Sequence, residues 1–387
     1  MGLANAGFRV EAVCPPHHPL AKTSVVPRPH VLSAVTPLRS LAEAISGVRP
    51  SLIVPTDDNT TRHLHQLRAG ESGNAISSLI ERSLGTQESF SVVERRAGVM
   101  HIGEEAGVRV PKTEVIAGSG DLEKWIARFG FPTVLKADGT SGGTGVRISH
   151  THEDAKRAFR ELQSGPRASE PLLQRLMRHG RSLVWPSPPT HRSVVNAQAY
   201  VGGIDAISEV ACWEGKVLAG LQFQVLSKQY ASGPASVLRL IENSEMTLAT
   251  EKIVRRLGLS GLHGFDFILE QGTGNAYLTE MNPRATQVGH LTLGAGRDLP
   301  AVLYGAASGQ EIRISPKVTD NPTIALFPQE WIRNRASAFL KSAYHDIPWE
   351  EPELVRACIL SHPEKRVRDS QHEEWIRELS ATRASEI

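Results

Sequence analysis

Three oxygen-bearing side chains, Asp266, Glu280 and Asn282, lie in the stretch GFDFILEQGTGNAYLTEMNPR, which ends at Arg284. Apolar residues alternate on both sides of a glycine-rich connection, and this pattern predicts a β-hairpin. With its turn centred on Thr273, the hairpin places Asp266 opposite Glu280. Asn282 shares the face of Glu280 because side chains alternate along a strand. The hairpin therefore brings three oxygen ligands to one place.

The chemistry predicted for this place is the binding of a divalent cation. Cross-strand neighbours lie about 4.5–5.5 Å apart, and two carboxylates at that spacing repel by roughly 3 kcal/mol at an effective dielectric constant of about 20. Mg2+ prefers oxygen ligands together with substrate phosphates, so the hairpin predicts a Mg2+ site. Arg284 would add a fixed positive charge beside the metal. A surface hairpin with solvated charges is the alternative interpretation.

A second candidate site combines a lysine with a glycine-rich loop. The stretch FPTVLKADGTSGGTGVRISH reads as a strand, a loop with four glycines and another strand. Glycines allow successive backbone N–H groups to point at an anion. The loop lacks the Gly-Lys-Ser/Thr ending of a P-loop, and a strand follows it where a dinucleotide-binding loop would open a helix. We therefore predict a flap over a nucleotide, with Lys136 on the preceding strand in reach of the phosphates.

Other interpretations of this segment stay open at the level of sequence. A mobile hairpin without function has the same pattern, and Lys136 could be a solvated lysine at a strand edge. A nicotinamide-dependent oxidoreductase is a further alternative, although the strand after the glycine run argues against it.

The composition of the whole chain is that of an ordinary soluble globular protein. Its 387 residues are too many for one ordinary core and predict two or three subdomains. The net charge of +2 gives no reason to expect a nucleic-acid or membrane partner. The three cysteines are far apart, which indicates neither a disulfide framework nor a zinc site and favours a cytoplasmic location. No transmembrane run or signal peptide is recognisable.

The N-terminal part of the chain predicts an α/β unit. A strand, FRVEAVC, precedes a helix, LRSLAEAISG, and a second strand, SLIVPT, ends at Asp57 and Asp58. These two acids either belong to a site or cap the helix that follows them. A doubly wound sheet normally has a strand before the helix that ends near Gly7. None is found here, which predicts that the chain begins late, through truncation or a misassigned start codon.

Several separated motifs match one protein family in order. FPTVLKADGTSGGTGV, VVNAQAYVGGID, GFDFIL and TEMNPR together resemble the ATP-grasp superfamily, and within it the carboxylate–amine ligases and the carbamoyl-phosphate-synthase-like branch. Each motif is loose alone, but the order and spacing of all four are specific. The resemblance covers roughly residues 40 to 310.

The resemblance implies an α/β (α+β) fold with a Rossmann-like pre-ATP-grasp unit, lacking its first strand, before a two-lobed ATP-grasp domain. The implied domains are residues 1–88 for this unit, 89–192 for the N-lobe with the glycine flap, 193–318 for the C-lobe with the metal site, and 319–387 for a C-terminal extension that packs against the core.

The resemblance also assigns residues to ATP and Mg2+. Lys136 is similar to the lysine that contacts the ATP phosphates and Arg284 to the arginine near the transferred phosphoryl group, so these two are the predicted catalytic residues. Asp266, Glu280 and Asn282 match the Mg2+ ligands, with Mn2+ as an alternative ion. The further nucleotide contacts are Gly139, Ser141, Gly142, Gly143 and Gly145 in the closing loop, and Gln198, Ala199, Tyr200 and Val201 in the hinge strand that binds the adenine edge.

Two positions depart from the family pattern. Asp205 stands where the family usually has a glutamate that contacts the ribose, and the shorter acid has less reach. Arg96 stands where many members have a second nucleotide lysine. An arginine keeps the charge but is not interchangeable with lysine at a tight site, and Arg96 could instead be a solvated helix charge.

The activity that the resemblance implies is that of an ATP-dependent ligase. A substrate carboxylate would be phosphorylated to an acyl phosphate, which an amine or a similar nucleophile attacks. The expected partners are small-molecule carboxylate and amine substrates, with a homodimer as a possible assembly. The alternative is a catalytically silent ATP-binding or regulatory module, which the departures at Arg96 and Asp205 favour.

Two further features could contact the substrate. The segment RHGRSLVWPSPPTHRS, with Arg178, Arg181 and Trp185, either forms a lid over an anionic substrate or is a surface loop. His290, in the segment after TEMNPR, either borders the acceptor pocket or is satisfied by the backbone.

Overall fold

The computed structural model of the chain describes residues 1–26, 28–70, 74–164 and 193–360. Within these ranges it contains a two-stranded, a four-stranded and a seven-stranded β-sheet. The strands are β1 (Val13–Cys14), β2 (His30–Val31), β3 (Thr113–Ile116), β4 (Thr133–Ala137), β5 (Val146–Ser149), β6 (Val195–Ala199), β7 (Gly203–Trp213), β8 (Lys216–Lys228), β9 (Ala235–Leu240), β10 (Gly261–Glu270), β11 (Ala276–Asn282), β12 (Thr323–Leu326) and β13 (Tyr344–Asp346). The helices are α1 (Gly2–Asn5), α2 (Pro37–Val48), α3 (Asp58–Gly70), α4 (Ala75–Leu84), α5 (Gln87–Val93), α6 (Arg96–Glu105), α7 (Ser119–Phe129), α8 (His152–Gln163), α9 (Ser244–Leu257), α10 (Leu299–Ser308), α11 (Gln329–Arg333), α12 (Phe339–Ser342) and α13 (Pro352–Leu360), with a 3-10 turn at Pro19–Lys22.

The seven-stranded sheet has the strand order β11-β10-β7-β8-β9-β12-β13 and is antiparallel except between β12 and β13. Successive side chains of a strand point to opposite faces, and the central strand β7 shows this alternation. Ala206 and Val210 pack in one core cluster with α9. Ile207 and Ala211 pack in another cluster with α10. Helices therefore cover both faces of this sheet.

The four-stranded sheet has the order β3-β6-β4-β5 and is antiparallel throughout. Trp125 of α7 and Phe159 of α8 pack against it. The predicted helix DLEKWIARFG corresponds to α7 and ends before Gly130, whose φ is +70°. The predicted cap of α8 is confirmed, since the Thr151 hydroxyl accepts the Asp154 N–H at 3.1 Å.

The N-terminal unit differs from the sequence prediction in its strands. FRVEAVC forms a strand only at β1, which pairs in parallel with β2, and the predicted strand SLIVPT belongs to no sheet. The reason lies in its hydrogen-bond partners. The N–H of Ile53 donates to Ser83 Oγ at 3.0 Å, and the Pro55 carbonyl accepts the Ala285 N–H at 3.0 Å. A helix side chain and a distant loop thus stand where a neighbouring strand was expected.

The C-terminal segment is joined to the core through its strands. β12 and β13 extend the seven-stranded sheet, and a cluster that includes Trp331, Leu340 and Ile347 packs beside them. This part of the predicted extension therefore packs against the core as expected, while residues 361–387 lie outside the described ranges. At the other end of the chain, α5 spans the predicted boundary at residue 88.

Cys14 and Cys212 are buried free thiols. Burial raises the pKa of the Cys212 thiol, so this side chain stays protonated. Among the helices within the described ranges, none combines the length and the apolar character needed to cross a membrane.

We expect Phe223→Ala to lower the free energy of unfolding by about 3–5 kcal/mol, because the ring of Phe223 on β8 is fully buried and its loss leaves a cavity. Leu248→Ala on α9 is the control. Leu248 is 56% exposed, so this change should cost about 0.5 kcal/mol or less. Urea unfolding of both variants measures the difference, and equal losses would contradict the assignment of the core.

Candidate active site

A cavity of about 380 Å³ lies between the four-stranded and the seven-stranded sheets. Strands β4, β5 and β6 contribute to one wall, and strands β7, β8, β10 and β11 contribute to the other. Most residues predicted to bind ATP or metal line this cavity, namely Arg96, Lys136, Gly142, Gly143, Gln198, Ala199, Tyr200, Val201, Asp205, Asp266, Glu280, Asn282 and Arg284. Gly139, Ser141 and Gly145 of the glycine loop are not among the lining residues.

The hairpin that carries the predicted metal ligands is formed by β10 and β11. Asp266 lies opposite Glu280, as predicted. Thr279 is the extra residue of a β-bulge in β11. The pairs between this bulge and the turn are therefore shifted by one residue and are not symmetric about Thr273. Asp266 and Glu280 lie beyond the bulge, where the extra residue restores the symmetry about Thr273, so the predicted pair is correct.

Lys136 on β4 is a buried cation of this cavity, with 7% of its surface exposed. Its Nζ donates to the carbonyl of the bulged Thr279 at 3.0 Å, and the Gln198 side chain donates to the same oxygen at 3.4 Å. Burial lowers the pKa of Lys136 to about 8, although Glu280 opposes the shift. A solvated lysine at a strand edge is therefore excluded.

The two carboxylates of the hairpin differ in how their charge is compensated. Desolvation and the neighbouring Glu280 raise the pKa of Asp266 to about 6. Desolvation also acts against ionisation of Glu280, but the positive charges of Arg96 and Lys136 outweigh it and lower the pKa of Glu280. Glu280 forms an ion pair with Arg96. The protein thus supplies a close counter-charge for one carboxylate of the pair.

Arg96, the first residue of α6, also contacts the stem of the glycine loop. Its Nε donates to the Ala137 carbonyl at 3.2 Å and its Nη2 to the Thr140 carbonyl at 2.8 Å. Its backbone N–H donates to Asp138 Oδ1 at 3.2 Å. A planar guanidinium can make such separate contacts while it also pairs with Glu280, which a lysine ammonium cannot. The interpretation of Arg96 as a solvated helix charge is wrong.

Arg284 connects the hairpin to the N-terminal unit. Its Nε donates to Asp58 Oδ1 at 2.9 Å and its Nη2 to Asn282 Oδ1 at 3.2 Å. Asn282 in turn donates to Asp266 Oδ2 at 3.3 Å. The two acids before α3 therefore have different roles. Asp57 caps the helix, where its Oδ1 accepts a backbone N–H at 2.9 Å, whereas Asp58 pairs with Arg284.

The glycine loop connects β4 with β5 and contacts the turn between β8 and β9. The Tyr230 hydroxyl donates to the Gly142 carbonyl at 2.6 Å, and the Ser232 hydroxyl donates to the Gly143 carbonyl at 3.4 Å. Gly143 has a φ of +74°, and a Cβ there would lie 1.5 Å from the backbone carbonyl oxygen of Ser232. The close contact with this turn therefore requires glycine. No local sequence signal indicates this contact, because residues 142–143 and 230–232 are distant in the chain.

The predicted hinge, residues 198–201, runs from the end of β6 towards β7 and so connects the two sheets. Asp205, early in β7, forms an ion pair with Lys228 of β8 at 2.6 Å. Both side chains line the cavity. Lys228 was not singled out from the sequence, because only the sheet register brings it beside Asp205.

A buried acid supports the segment that follows the hairpin. Glu209 on β7 has no exposed surface, and burial raises its pKa. Its Oε1 accepts the Thr286 N–H at 2.8 Å, and its Oε2 accepts the Thr286 hydroxyl. Glu209 could have been noticed in the sequence, because it is an acidic residue within the otherwise apolar stretch AISEVAC. His290 in the same segment pairs with Asp346 at 2.8 Å, so it is not satisfied by the backbone.

Of the segment predicted as a lid, residues 178–192 lie outside the described residues. Arg178, Arg181 and Trp185 are among them, and the lid stays a prediction.

Comparison with known proteins finds carbamoyl phosphate synthase large chains among the sequence relatives. No family model matches the chain. The chain is 22% identical over 257 residues to the carbamoyl phosphate synthase large chain of Rubrobacter xylanophilus, a match that covers 65% of this chain and 23% of the relative. It is 22% identical over 249 residues to the N-terminal section of the same protein from Aquifex aeolicus, with 64% and 42% covered. The chain thus spans less than half the length of these relatives.

Two solved structures share the fold of the chain. The biotin carboxylase domain of 2-oxoglutarate carboxylase from Hydrogenobacter thermophilus, in complex with MgADP and bicarbonate, has a TM-score of 0.57 at 18% identity, with 81% of this chain and 67% of that chain covered. N5-carboxyaminoimidazole synthetase from Staphylococcus aureus, in complex with ADP, has a TM-score of 0.57 at 14% identity, with 80% and 74% covered. The chain has the ATP-grasp fold. The resemblance carried by the four motifs is confirmed.

We expect Tyr230→Phe to loosen the glycine loop. The change removes a hydrogen bond worth about 1 kcal/mol, so amide hydrogen exchange of residues 139–145 should become roughly fivefold faster. Tyr277→Phe, which removes a hydroxyl on β11 away from the flap, is the matched control. Equal exchange in the two variants would show that Tyr230 does not hold the flap.

We expect Asp266→Asn to remove a pH dependence of stability in the metal-free protein. The pKa of Asp266 is raised from 3.8 to about 6. Between these values the unfolded chain loses the proton that the folded chain keeps, so stability falls as the pH rises from about 4 to 6. The variant should be more stable at pH 7 by up to about 3 kcal/mol.

Thermal unfolding across this pH range, in the presence of EDTA, measures the effect. Asp121→Asn, at a partly exposed position in the first turn of α7, is the control. A pH profile of Asp266→Asn that is parallel to that of the unchanged protein would contradict the assignment.

Proposed function

We propose that the chain is an ATP-dependent ligase that phosphorylates a substrate carboxylate and joins it to an amine or a similar nucleophile. The observation that supports this best is the meeting of Lys136, Arg284 and the carboxylates Asp266 and Glu280 at one cavity bordered by the glycine flap. The similarity to carbamoyl phosphate synthase large chains points to the same reaction class.

The donor set of the hairpin fits Mg2+. Asp266 and Glu280 offer carboxylate oxygens and Asn282 an amide oxygen, all hard ligands. A divalent cation would also favour the charged form of Asp266, whose pKa is raised by burial beside Glu280. Within the described ranges, no group of three or more His, Cys, Asp or Glu side chains could hold a metal. Phosphate oxygens would therefore have to complete the coordination of an ion held by these three side chains. Mn2+ prefers similar ligands.

The hinge and the flap are proposed to hold the nucleotide. Apolar residues that line the cavity near the hinge, such as Val134, Ile148 and Ile268, fit a planar base, and Gln198 to Val201 offer backbone groups to its edge. The flap glycines Gly142 and Gly143 would face the phosphates. The same role is proposed for three further residues of the loop that would close over the phosphates, Gly139, Ser141 and Gly145.

The proposed reaction has two steps. A carboxylate oxygen attacks the γ-phosphorus of ATP, the bond to the β-phosphate oxygen breaks, and ADP leaves. The amine then attacks the carbonyl carbon of the acyl phosphate, loses a proton and releases phosphate. When bound, Mg2+ would neutralise phosphate oxygens.

The cations of the chain position and neutralise the phosphates during this transfer. Lys136, Arg96 and Arg284 surround the cavity, and phosphoryl transfer depends mainly on positioning and on compensation of negative charge. With a pKa of about 8, Lys136 is largely protonated at neutral pH.

The proposal includes the wider expectations from the sequence. The substrates would be a small-molecule carboxylate and an amine, in a cytoplasmic protein that could assemble as a homodimer. The proposed domain boundaries lie near residues 88, 192 and 318.

We expect Glu280→Gln to lower ATP turnover by about 100-fold or more, since it removes a metal ligand and the charge that pairs with Arg96. Phosphate release with mixtures of amino acids and small carboxylates measures turnover, and calorimetry measures ATP binding with and without Mg2+. Glu270→Gln changes a carboxylate near the turn of the same hairpin, outside the cavity, and should leave turnover unchanged.

The outcomes separate the competing assignments. Turnover retained by Glu280→Gln would contradict the metal site. Binding of ATP and Mg2+ by the unchanged chain, without turnover with any substrate pair, would favour a catalytically silent ATP-binding module. Absence of ATP binding would contradict both functions.

A further inference from the structure

Lys228, at the end of β8, is a charged residue of the cavity to which the proposed function gives no role. Its side chain lines the cavity between the two sheets, and so does that of Val225 on the same strand. The two residues are three positions apart, and a regular strand would place their side chains on opposite faces. An irregularity of the strand is therefore needed to bring both to the same cavity.

The pairing of β8 with β9 contains this irregularity. Between Val225 and Ser227 the register advances by two residues on β8 but by only one on β9. Leu226 is therefore the extra residue of a β-bulge, and bulges next to active sites re-aim side chains. The extra residue shifts the alternation of β8 by one position. Lys228 is thereby turned to the side of the strand on which Val225 lines the cavity.

The ammonium of Lys228 has one partner and keeps further donors available. Its Nζ lies 2.6 Å from Asp205 Oδ2, and the two side chains are 28% and 47% exposed. An ion pair that is this open to solvent contributes little to stability. An ammonium has three N–H donors, and Lys228 has no second side-chain partner in the described part of the chain. The pair thus holds an oriented cation at the cavity.

The other cations of the cavity gather at a different place. Four cationic side chains line the cavity within the described ranges. Arg96, Lys136 and Arg284 each bond to a residue of β11, where the metal and the terminal phosphates are proposed to bind. Lys228 contacts Asp205 of β7 instead. It is therefore placed for another part of the nucleotide.

The neighbours of Lys228 indicate which part this is. On one side lies Asp205, the proposed ribose contact. On the other side, the turn that follows Lys228 contacts the glycine loop through the Tyr230 hydroxyl, which donates to the Gly142 carbonyl at 2.6 Å. This loop is proposed to close over the terminal phosphates. Lys228 thus lies between the places for the ribose and the terminal phosphates, where a nucleotide carries its α-phosphate.

We propose that Lys228 is a specificity-determining residue that binds the α-phosphate of the nucleotide, with Asp205 orienting its ammonium. The inference rests on the proposed function, since it requires that the cavity binds an adenine nucleotide. Hydrogen bonds from an ammonium to phosphate oxygens are charge-assisted and stronger than those between neutral groups. Lys228 therefore makes the cavity select nucleotides over nucleosides, without participation of the metal at the hairpin.

The test compares adenosine, AMP and ADP as ligands of the full chain, by calorimetry in the presence of EDTA. Lys228→Met keeps an apolar stem of similar length without the charge. It should weaken the binding of AMP and of ADP by about tenfold each and leave that of adenosine unchanged. Lys228→Arg keeps the charge and should restore part of the affinity for AMP. Lys216→Met, at the exposed first position of β8, is the matched control and should change none of the affinities.

Three results would overturn the proposal in variants whose melting temperature shows that they are folded. Equal weakening of adenosine and AMP by Lys228→Met would show that Lys228 acts through the ribose contact of Asp205. An unchanged affinity for AMP would show that Lys228 does not bind the α-phosphate. A much larger loss for ADP than for AMP would place Lys228 at a terminal phosphate.

The failure of this inference and the failure of the proposed function are distinguishable. If the unchanged chain binds ADP and the Lys228→Met variant gives one of these three results, only the role of Lys228 is contradicted. If the unchanged chain binds neither ADP nor ATP, with or without Mg2+, the proposed function is contradicted together with the inference.

Discussion

Charges buried between the two lobes have to be balanced among themselves, because desolvated charges interact strongly and are poorly screened. Arg96 pairs with Glu280, and Arg284 pairs with Asp58. Each pair connects parts of the molecule that are distant in sequence. Arg96 connects the stem of the glycine loop with the hairpin of β10 and β11, and Arg284 connects this hairpin with the N-terminal unit. The ion pairs that balance these charges therefore also hold these parts of the molecule in place relative to one another.

This constraint also explains why an irregularity in the hairpin is useful. A regular ladder would direct the carbonyl of Thr279 to a neighbouring strand. The bulge frees this carbonyl for the ammonium of Lys136, which has no other close hydrogen-bond acceptor among its described contacts. A buried ammonium needs such a partner, since desolvation otherwise favours its neutral form. An extra residue in one strand thus stabilises a charge on a strand of the other lobe.

Much of the site could be predicted from the sequence, because its signals are local. Alternation gave the hairpin and the pair of Asp266 with Glu280, and the order of the motifs gave the fold family. The contacts that were missed are not local. Lys228, Tyr230 and Glu209 become part of the site only through the register of the large sheet, which no single segment encodes. The prediction of a strand at SLIVPT was wrong for a related reason, since a strand is defined by its neighbour as well as by its own residues.

The ion pair of Asp58 with Arg284 joins residues that are 226 positions apart. Closing so long a loop is entropically costly before other contacts offset it, and such contacts tend to form late in folding. The hairpin of β10 and β11, by contrast, is a short-range structure, and both of its cavity carboxylates lie within one segment of the chain. During synthesis Asp266 and Glu280 can therefore come together well before Arg284 is held in place by Asp58, which requires the first part of the chain to dock onto the last-formed lobe.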